Sequence, residues 1–371
     1  YRERGFHIEL VHRTNRRGFK AGALREGLER APAVEYVAIF DADFVPDPAF
    51  LHQTLPYLQQ DAGLAFVQTR WGHLNADSSI ITMAQSIALD GHFLVEQQAR
   101  SRAGLFVGFN GSGGVWRREA ILAAGNWHDD TLTEDLDLSY RAQLGGWRCR
   151  FIPVLGARAE IPPTVMALRL QQYRWAKGTS QCARKLWFRV AAARMPLWKR
   201  LQGLLHLTSY FIHPLMLTII LTIAPLMIAR VSFFPILSVL GMASFAYPLL
   251  YVLAQRAQYD RWLPRLRYLL PLTFLGMGIA LIVSKGVVEG LLGKPSEFVR
   301  TPKFGRKTRP ARRQLSTCGL RPDRLMWGEA FLALYSLAAI GVAILTGYYL
   351  AVPFLLLYAC LLYTSPSPRD S

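Results

Sequence analysis

The distribution of apolar residues is the feature that most constrains how this chain can fold. Residues 1 to 206 read as an ordinary soluble α/β sequence, whereas residues 207 to 363 contain apolar runs near the roughly 20 residues that a bilayer-spanning helix needs. The pattern predicts an integral, multi-pass membrane protein with a soluble first part. Five candidate spans follow from it: 208 to 229, 232 to 254, 269 to 292, 328 to 348 and 350 to 363.

Basic residues concentrate beside these apolar runs, in a chain whose formal net charge is +18. Residues 255 to 267 hold four Arg against one Asp, and residues 293 to 327 hold ten Lys or Arg against two acidic residues. Basic loops of this kind stay on the cytoplasmic side. The segment 269 to 292 between them, which carries Lys285 and Glu289, is therefore expected to be re-entrant or interfacial, unless the longer loop overrides the charge rule. The pattern predicts the lipid bilayer as a partner and disfavours nucleic acid.

The cysteines and the two ends of the chain bear on its class. No CxxC spacing occurs among the four cysteines, which disfavours a zinc site or a disulfide framework. Tyr1 begins in mid-pattern, so we expect the N-terminal part of the soluble domain to be missing. The polar segment 364 to 371 is expected to be a disordered or non-native tail.

Strands and helices alternate along the soluble part. Buried strands are predicted at 34 to 40, at 63 to 69, as a hairpin within 105 to 117, and at 148 to 154. Helices are predicted at 48 to 59, at 78 to 101 behind a Ser78 cap, and at 134 to 144 behind a Thr133 cap. Such alternation predicts a largely parallel, Rossmann-like sheet with helices on both faces. The predicted regions are a soluble α/β domain at 1 to 160, amphipathic interfacial helices at 161 to 206, and a membrane region at 207 to 363.

Two carboxylates stand at the end of the first predicted strand. Asp41 and Asp43 form an Asp-Ala-Asp motif, and side chains two residues apart on an extended segment face the same way. Hard oxygen ligands so arranged suit Mg²⁺ or Mn²⁺ bridging a diphosphate. The alternative is a polar exit from the strand, with Asp47 and Pro48 in a turn. Taken alone, the motif leaves both interpretations open.

Two further motifs combine charged residues with helix positions. Thr133-Glu134-Asp135 opens a predicted helix, where capping favours these residue types and where a carboxylate could equally act as a general base. The Gln-x-x-Arg-Trp motif at 171 to 175 lies on one helix face, with Arg suited to a diphosphate and Trp to a sugar ring. An interfacial helix that extends its Arg to the headgroups and buries its Trp among them explains the same pattern.

A glycine-rich segment, a lysine and an acidic loop carry weaker signals. Residues 109 to 114 (FNGSGG) fit a hairpin turn, because Asn-Gly is a strong turn signal, or a backbone loop that a ligand can approach closely. Lys20 could meet a phosphate or lie in solvent. Residues 128 to 130 (HDD) are interpreted as a surface loop without a role.

The order of these motifs, followed by apolar spans, is more specific than any one of them. The sequence resembles the processive family 2 glycosyltransferases of the cellulose-synthase-like group, and within it the branch of β-mannan and glucomannan synthases. The segments that carry the resemblance cover about 13 to 305: RTNRRGFKAGALREGL (13 to 28), VAIFDADFVPDPAFL (37 to 51), VQTRWGHLNAD (67 to 77), GFNGSGGVWRREAI (108 to 121), TEDLDLSYRAQLGGW (133 to 147), LQQYRW (170 to 175) and EFVRTPKFG (297 to 305).

The resemblance implies a GT-A fold, a nucleotide-sugar donor and a divalent metal, Mg²⁺ or Mn²⁺, bound near Asp43 with Asp41. It implies inversion at the anomeric carbon, with Asp135 as the general base that deprotonates the acceptor hydroxyl. GDP-mannose is favoured as the donor, ahead of UDP-glucose. The expected donor-binding residues are Lys20, Asp41, Asp43, Gln171 and Arg174. The expected acceptor-binding residues are Phe109, Asn110, Gly111, Glu134 and Trp175.

The expected reaction is transfer of a hexosyl unit to a growing β-linked polysaccharide by a catalytic domain on the cytoplasmic side. A membrane lipid glycosyltransferase with a diacylglycerol or ceramide acceptor is the second hypothesis, because such enzymes share the Asp-x-Asp motif and a similar Arg-Trp motif. A non-catalytic, glycan-binding membrane protein is the third, and the intact acidic motifs disfavour it. The sequence departs from the family pattern in one respect, since the family has an earlier nucleotide-binding Asp upstream of the position of Tyr1.

Overall fold

A computed structural model describes residues 2–231, 246–295 and 324–359. The soluble part is built on a five-stranded sheet in the order β1-β4-β3-β5-β2. Among the described strands, β3 and β5 pair in parallel, whereas the other pairings are antiparallel. The strands are β1 (Tyr36–Ile39), β2 (Val45–Pro46), β3 (Leu64–His73), β4 (Gly114–Arg117) and β5 (Arg148–Ala159).

The α/β class is confirmed, but the prediction of a largely parallel sheet is wrong. A helix between two strands produces parallel pairing only when the chain re-enters the sheet from the same end. A long helical stretch, residues 80–102, instead carries the chain past the sheet, and β4 then enters between β1 and β3 in the opposite direction. The predicted hairpin within 105 to 117 is also wrong, because residues 105–113 form no strand and β4 begins at Gly114.

Helices of the soluble part cover both sides of this sheet. The long stretch consists of two helices joined by a π-helical turn, His92–Gln97, and its N-cap is Ser79 rather than the predicted Ser78. Ser79 Oγ accepts a hydrogen bond from the backbone N–H of Thr82 at 3.1 Å. The helices are α1 (Phe19–Arg30), α2 (Phe50–Gln60), α3 (Ile80–Gly91), α4 (Gln98–Arg102), α5 (Arg118–Ala123) and α6 (Glu134–Leu144).

Two amphipathic helices follow the sheet, α7 (Val165–Ala191) and α8 (Leu197–Leu207). Pro162 and Pro163 interrupt the chain after β5, and the Thr164 hydroxyl then caps α7 by accepting from the backbone N–H of Ala167 at 3.2 Å. With 27 residues, α7 is long enough to contact both the soluble domain and the apolar helices. It carries the Gln-x-x-Arg-Trp motif.

Within the described residues, two helices are long and apolar enough to cross a membrane, Ser209–Ile228 and Trp327–Thr346. They match two of the predicted spans. Residues 232–245 of the second span, residues 296–323 of the basic loop, the end of the fifth span and the tail lie outside the described residues. The helices of this region are α9 (Ile212–Ile228), α10 (Ala246–Gln258), α11 (Leu269–Gly278), α12 (Ala280–Leu291), α13 (Arg324–Thr346) and α14 (Val352–Ala359).

The segment predicted to be re-entrant or interfacial is bent by 46° between α11 and α12. Its second half packs closely on α7, because a Cβ atom at Gly290 would come 2.6 Å from the carbonyl oxygen of Lys177. Lys177 also donates a hydrogen bond to Glu289 at 2.9 Å, so the acidic residue of α12 has a buried partner. The bend fits either a broken span or a re-entrant segment, and the re-entrant or interfacial arrangement stays a prediction.

The basic segment 255 to 267 contacts the soluble domain directly. Asp90, buried in α3, accepts hydrogen bonds from Gln255 at 3.0 Å and from Tyr259 at 3.1 Å. Arg265 donates to the Ser86 hydroxyl at 3.2 Å. These contacts put the segment and the soluble domain on the same side of any bilayer.

Candidate active site

Lys20 joins several of the predicted motifs at one point. It lies in the first turn of α1, and its Nζ donates to Asp41 Oδ1 at 2.6 Å and to the carbonyl oxygen of Gly111 at 2.8 Å. Burial alone would lower the pKa of Lys20, but the carboxylates of Asp41, Glu134 and Asp135 outweigh that effect and raise the pKa. Lys20 is therefore a fixed positive charge among acidic groups, rather than a solvated surface lysine.

The glycine loop, residues 108–114, is held by side chains of β3. Gln68 Nε2 donates to the carbonyl oxygen of Ser112 at 3.0 Å, and its Oε1 accepts from the backbone N–H of Asn110 at 2.9 Å. Trp71 Nε1 donates to the same Ser112 oxygen at 2.9 Å. The sequence analysis assigned no role to Gln68 or Trp71, although both lie in the run VQTRW (67 to 71) that contributes to the family resemblance. Both shape the loop, because they satisfy backbone groups that no strand partner reaches.

Phe109 is placed differently from the acceptor contact expected for it. Its side chain is 3% exposed and packs edge-on against Phe66 and close to Trp116 in the core. A core ring cannot also lie against a sugar, so we revise its role to anchoring the loop. Asn110 is half-buried, and Gly111, with a φ of 77°, turns its backbone towards the other site residues.

Glu134 and Asp135 open α6 next to the glycine loop. A Cβ atom at Gly111 would come 2.9 Å from Asp135 Oδ2, so a side chain there would crowd this carboxylate. Asp135 is half-buried and accepts from the backbone N–H of Leu136 at 2.8 Å. Burial raises the pKa of both carboxyl groups, and the nearby Asp135 charge helps to raise the pKa of Glu134 to about 7. A carboxylate with a raised pKa is a stronger base than an ordinary aspartate.

The middle of α7 presses against the start of α6. A Cβ atom at Gly178 would come 2.6 Å from Thr133 Cγ2, so glycine is needed for this approach. Gln181 Oε1 accepts from the backbone N–H of Leu132 at 2.9 Å. Thr133 precedes α6 as predicted but makes no side-chain capping bond, because its hydroxyl instead lies 3.4 Å from Cys182 Sγ.

Arg174 lies one helical turn before this close contact. Burial lowers the pKa of its guanidinium, and the charges of nearby carboxylates oppose that effect. These carboxylates are Glu134 and Asp135, in the first turn of α6, and Asp41. Gln171 and Trp175 are half-buried on the same stretch of α7. The structure thus brings five of the expected site residues together: Lys20, Asp41, Glu134, Asp135 and Arg174.

The residues that follow β1 fit a divalent metal. Asp43 is half-buried in the turn after the strand, and Asp41 has one of its two oxygens bonded to Lys20. Mg²⁺ commonly binds through one or two carboxylates and completes its shell with water and substrate phosphates. Two carboxylates at the end of β1, beside the charged cluster, meet that requirement.

A second group of potential ligands consists of His128, Asp130 and Asp137, whose ligand atoms lie within 4.8 Å of one another. Lys185 Nζ lies 3.0 Å from His128 Nδ1, 2.8 Å from Asp130 and 2.9 Å from Asp137. The ammonium therefore holds the position that a cation would take. The HDD loop, interpreted from the sequence as having no role, ties the chain before α6 to α7.

A cavity of about 310 Å³ opens beside Lys20 and Glu134. Its wall also includes Arg184 of α7 and Lys294, which follows α12. The cavity is thus bordered by basic side chains next to the carboxylates.

The sequence family described as Glycosyl transferase family group 2 matches residues 36–254. The chain belongs to this family. The matched region contains the Asp-x-Asp motif, the glycine loop, the Thr-Glu-Asp motif and the Gln-x-x-Arg-Trp motif. The mixed sheet with its flanking helices and apolar C-terminal helices is the GT-A type of organisation that the sequence resemblance implied.

Curated relatives in this family are named glucomannan 4-beta-mannosyltransferases, which confirms the resemblance to the mannan synthase branch. Glucomannan 4-beta-mannosyltransferase 7 of Arabidopsis thaliana is 38% identical over 311 residues, which are 81% of this chain and 54% of the relative. Glucomannan 4-beta-mannosyltransferase 1 of Oryza sativa subsp. japonica is 43% identical over 201 residues, which are 53% of this chain and 39% of the relative. The chain therefore spans about half, or less, of the length of these relatives.

A solved mannosyltransferase from Pyrobaculum calidifontis, in complex with GDP-Man and Mn²⁺, is similar at a TM-score of 0.48 and 19% identity. The similarity covers 77% of this chain and 70% of that one.

Proposed function

We propose that this chain carries the catalytic centre of an inverting, membrane-bound glycosyltransferase. The reaction is transfer of a hexosyl unit from a nucleotide-diphosphate sugar to a hydroxyl of a growing β-linked polysaccharide. The observation that carries the proposal is the junction at Lys20, which bonds to Asp41 and to the backbone of Gly111, itself packed against Asp135. A polar turn or a helix cap would not require motifs so distant in sequence to meet.

In the proposed reaction, Asp135 accepts the proton of the acceptor hydroxyl while that oxygen attacks the anomeric carbon. The new C–O bond forms as the bond to the diphosphate breaks, so an α-linked donor gives a β product without a covalent enzyme intermediate. The raised pKa of Asp135 supports this role, because proton transfer is most efficient when the pKa of the base approaches the working pH. Glu134 has a pKa of about 7, so its carboxyl group can either donate a hydrogen bond to an acceptor hydroxyl or accept one from it.

On the donor side, Asp43 and Asp41 would hold Mg²⁺ or Mn²⁺, which supplies positive charge to the leaving diphosphate. Lys20 and Arg174 add fixed positive charge at the same place, which stabilises the charge that develops as the diphosphate leaves. Gln171 and Trp175, on the same stretch of α7 as Arg174, are proposed to contact the donor and the acceptor end respectively.

GDP-mannose is the proposed donor, because relatives at 38% to 45% identity are named mannosyltransferases. The apolar helices support an integral, multi-pass protein. The basic segment that contacts the soluble domain supports a cytoplasmic position for the catalytic centre, which is where a nucleotide-sugar would be met.

Radiolabel incorporation by membranes carrying the protein tests the proposal. GDP-mannose and UDP-glucose are offered in parallel, each with Mg²⁺, Mn²⁺ or EDTA, and the product is digested with β-mannanase or β-glucanase. We expect an EDTA-sensitive polymer that β-mannanase cuts, lost in Asp135→Asn and retained in Asp77→Asn, which changes an exposed carboxylate. Label found only in the organic phase would indicate a lipid glycosyltransferase. Absence of incorporation from both donors would support a non-catalytic protein.

A further inference from the structure

The π-helical turn His92–Gln97 interrupts the long helix beside the glycine loop. A π-turn inserts one extra residue into an α-helix, weakens its hydrogen-bond ladder, and is found mostly where function requires a particular side-chain placement. Here it lies between α3 and α4, in a helix that is otherwise regular and capped at Ser79. The turn therefore changes the directions of its side chains, and their contacts indicate what it positions.

Those side chains form one hydrogen-bonded chain that ends on the glycine loop. His92 Nδ1 lies 3.0 Å from Glu96 Oε2, and His92 Nε2 lies 3.1 Å from Asn110 Nδ2. Gln97 Nε2 donates to Asn110 Oδ1 at 2.8 Å and to the carbonyl oxygen of Gly108 at 2.9 Å. Two residues of the turn, His92 and Gln97, thus contact the two polar ends of the Asn110 amide, and Glu96 in turn bonds to His92.

The order of these hydrogen bonds fixes which atoms of His92, Glu96 and Asn110 donate and which accept. An amide nitrogen can only donate, so His92 Nε2 accepts, and the ring proton lies on Nδ1 and points at Glu96. Burial alone would raise the pKa of Glu96, but the hydrogen bond from His92 and the nearby charge of Arg100 outweigh it and lower the pKa, so Glu96 is an ionised acceptor. The amide of Asn110 is consequently held in one orientation, instead of rotating between two.

The fixed amide has hydrogen-bonding capacity left for a ligand. An Asn side chain offers two N–H groups and two oxygen lone pairs, and the described neighbours use one of each. Asn110 directly precedes Gly111, whose backbone lies against Asp135. The His92 and Glu96 side chains keep 29% and 36% exposure, so the chain of bonds borders open space rather than lying in the core.

We infer that the π-helical turn is an acceptor-positioning element, in which His92 and Gln97 orient Asn110 so that its amide binds a hydroxyl of the acceptor glycan beside Asp135. The inference rests on the proposed function for its acceptor class. His92 and Gln97 are positioning residues, since they act through Asn110. They are expected to affect acceptor binding and transfer, and to leave donor binding unchanged.

His92→Phe tests this inference, because it keeps an aromatic ring beside Phe93 and removes both hydrogen bonds. His92→Gln is the conservative variant, since its amide oxygen can accept from Asn110. The matched control is His52→Phe, at an exposed position of α2. The measurements are the Kd of a manno-oligosaccharide for solubilised protein with GDP bound, the acceptor KM and kcat of transfer, and donor hydrolysis without acceptor.

We expect His92→Phe to raise the oligosaccharide Kd and the acceptor KM about tenfold, as for loss of one hydrogen bond in a site with little water. Donor hydrolysis should stay within about twofold, His92→Gln should recover most of the loss, and His52→Phe should match the unchanged protein.

Equal losses in donor hydrolysis and in transfer would overturn the inference in favour of a purely structural turn, as would an unchanged Kd in His92→Phe. Oligosaccharide binding without any transfer by the unchanged protein would contradict the proposed function, while the Kd comparison would still decide the role of His92. Absence of oligosaccharide binding by the unchanged protein would overturn the inference.

Discussion

Replacing Glu289 by Gln should destabilise the protein more than replacing its partner Lys177 by Met. The Lys177 side chain is 1% exposed and that of Glu289 is 18% exposed, with 2.9 Å between Nζ and Oε2. Glu289→Gln leaves a buried ammonium without its counter-charge, which costs about 3–5 kcal/mol in buried ion pairs. Lys177→Met leaves a carboxylate that reaches solvent and still accepts from the Tyr173 hydroxyl, so we expect about 1–3 kcal/mol.

Thermal unfolding of the detergent-solubilised protein measures this difference. At about 2–4 °C per kcal/mol, Glu289→Gln should lower the Tm by at least about 6 °C. The double variant should be more stable than Glu289→Gln alone, because Met beside Gln leaves no unpaired buried charge. Arg189→Met, which removes an exposed charge from α7, is the control and should change the free energy of unfolding by less than about 0.5 kcal/mol.

The reasoning depends on the unequal burial of the two charges. Equal losses in the two single variants would refute it, because they would mean that solvent screens both groups alike. A double variant that is less stable than Glu289→Gln would also refute it, since packing rather than charge would then explain the loss.

Three further predictions concern the site itself. Asp43→Asn should raise the Mn²⁺ concentration for half-maximal activity roughly tenfold or more in a metal titration, whereas Asp77→Asn should not. Gly111→Ala should lower the initial transfer rate at least about tenfold, because its φ is 77° and its Cβ would crowd Asp135, whereas Gly27→Ala, in open space, should not. The Glu134 carboxyl has a pKa of about 7 in the folded protein, above the ordinary 4.5, so the folded state holds this proton more tightly than the unfolded state. The unchanged, metal-free protein should therefore lose stability as the pH rises from about 4.5 to about 7. Glu134→Gln removes the titrating group and should flatten this pH dependence of the Tm.

Local patterns in the sequence were sufficient for much of the fold. The helix predicted at 134 to 144 has those bounds in the structure, and the Asp-Ala-Asp motif begins two residues after the end of β1. Two of the predicted apolar spans match described helices, because a run of about 20 apolar residues has few alternatives. Each of these features depends on residues close together in the chain.

Features that depend on distant partners were missed or wrong. The direction in which β4 enters the sheet depends on how residues 80–102 pack, and no local pattern encodes that. Phe109 was expected to contact the acceptor, but Phe66 and Trp116, one of them far from it in sequence, bury its ring. Lys185 looks like one basic residue among many, although it fills the centre of an acidic group. Each of these features depends on contacts between residues that lie far apart in the sequence.

The position of α7 connects the membrane-facing helices to the candidate active site. Arg174 and Gly178, one turn apart, face the start of α6, whereas Tyr173 and Lys177, also one turn apart, face Glu289 of α12. Because a helix moves as a rigid element over such a short stretch, a shift of α12 would move Arg174 relative to the carboxylates. The segment 269 to 292 is therefore part of what holds Arg174 beside these carboxylates. It follows that a soluble fragment ending near residue 206 would keep the contact of α7 with α6 but lose the contact with α12 that supports α7 from the other side.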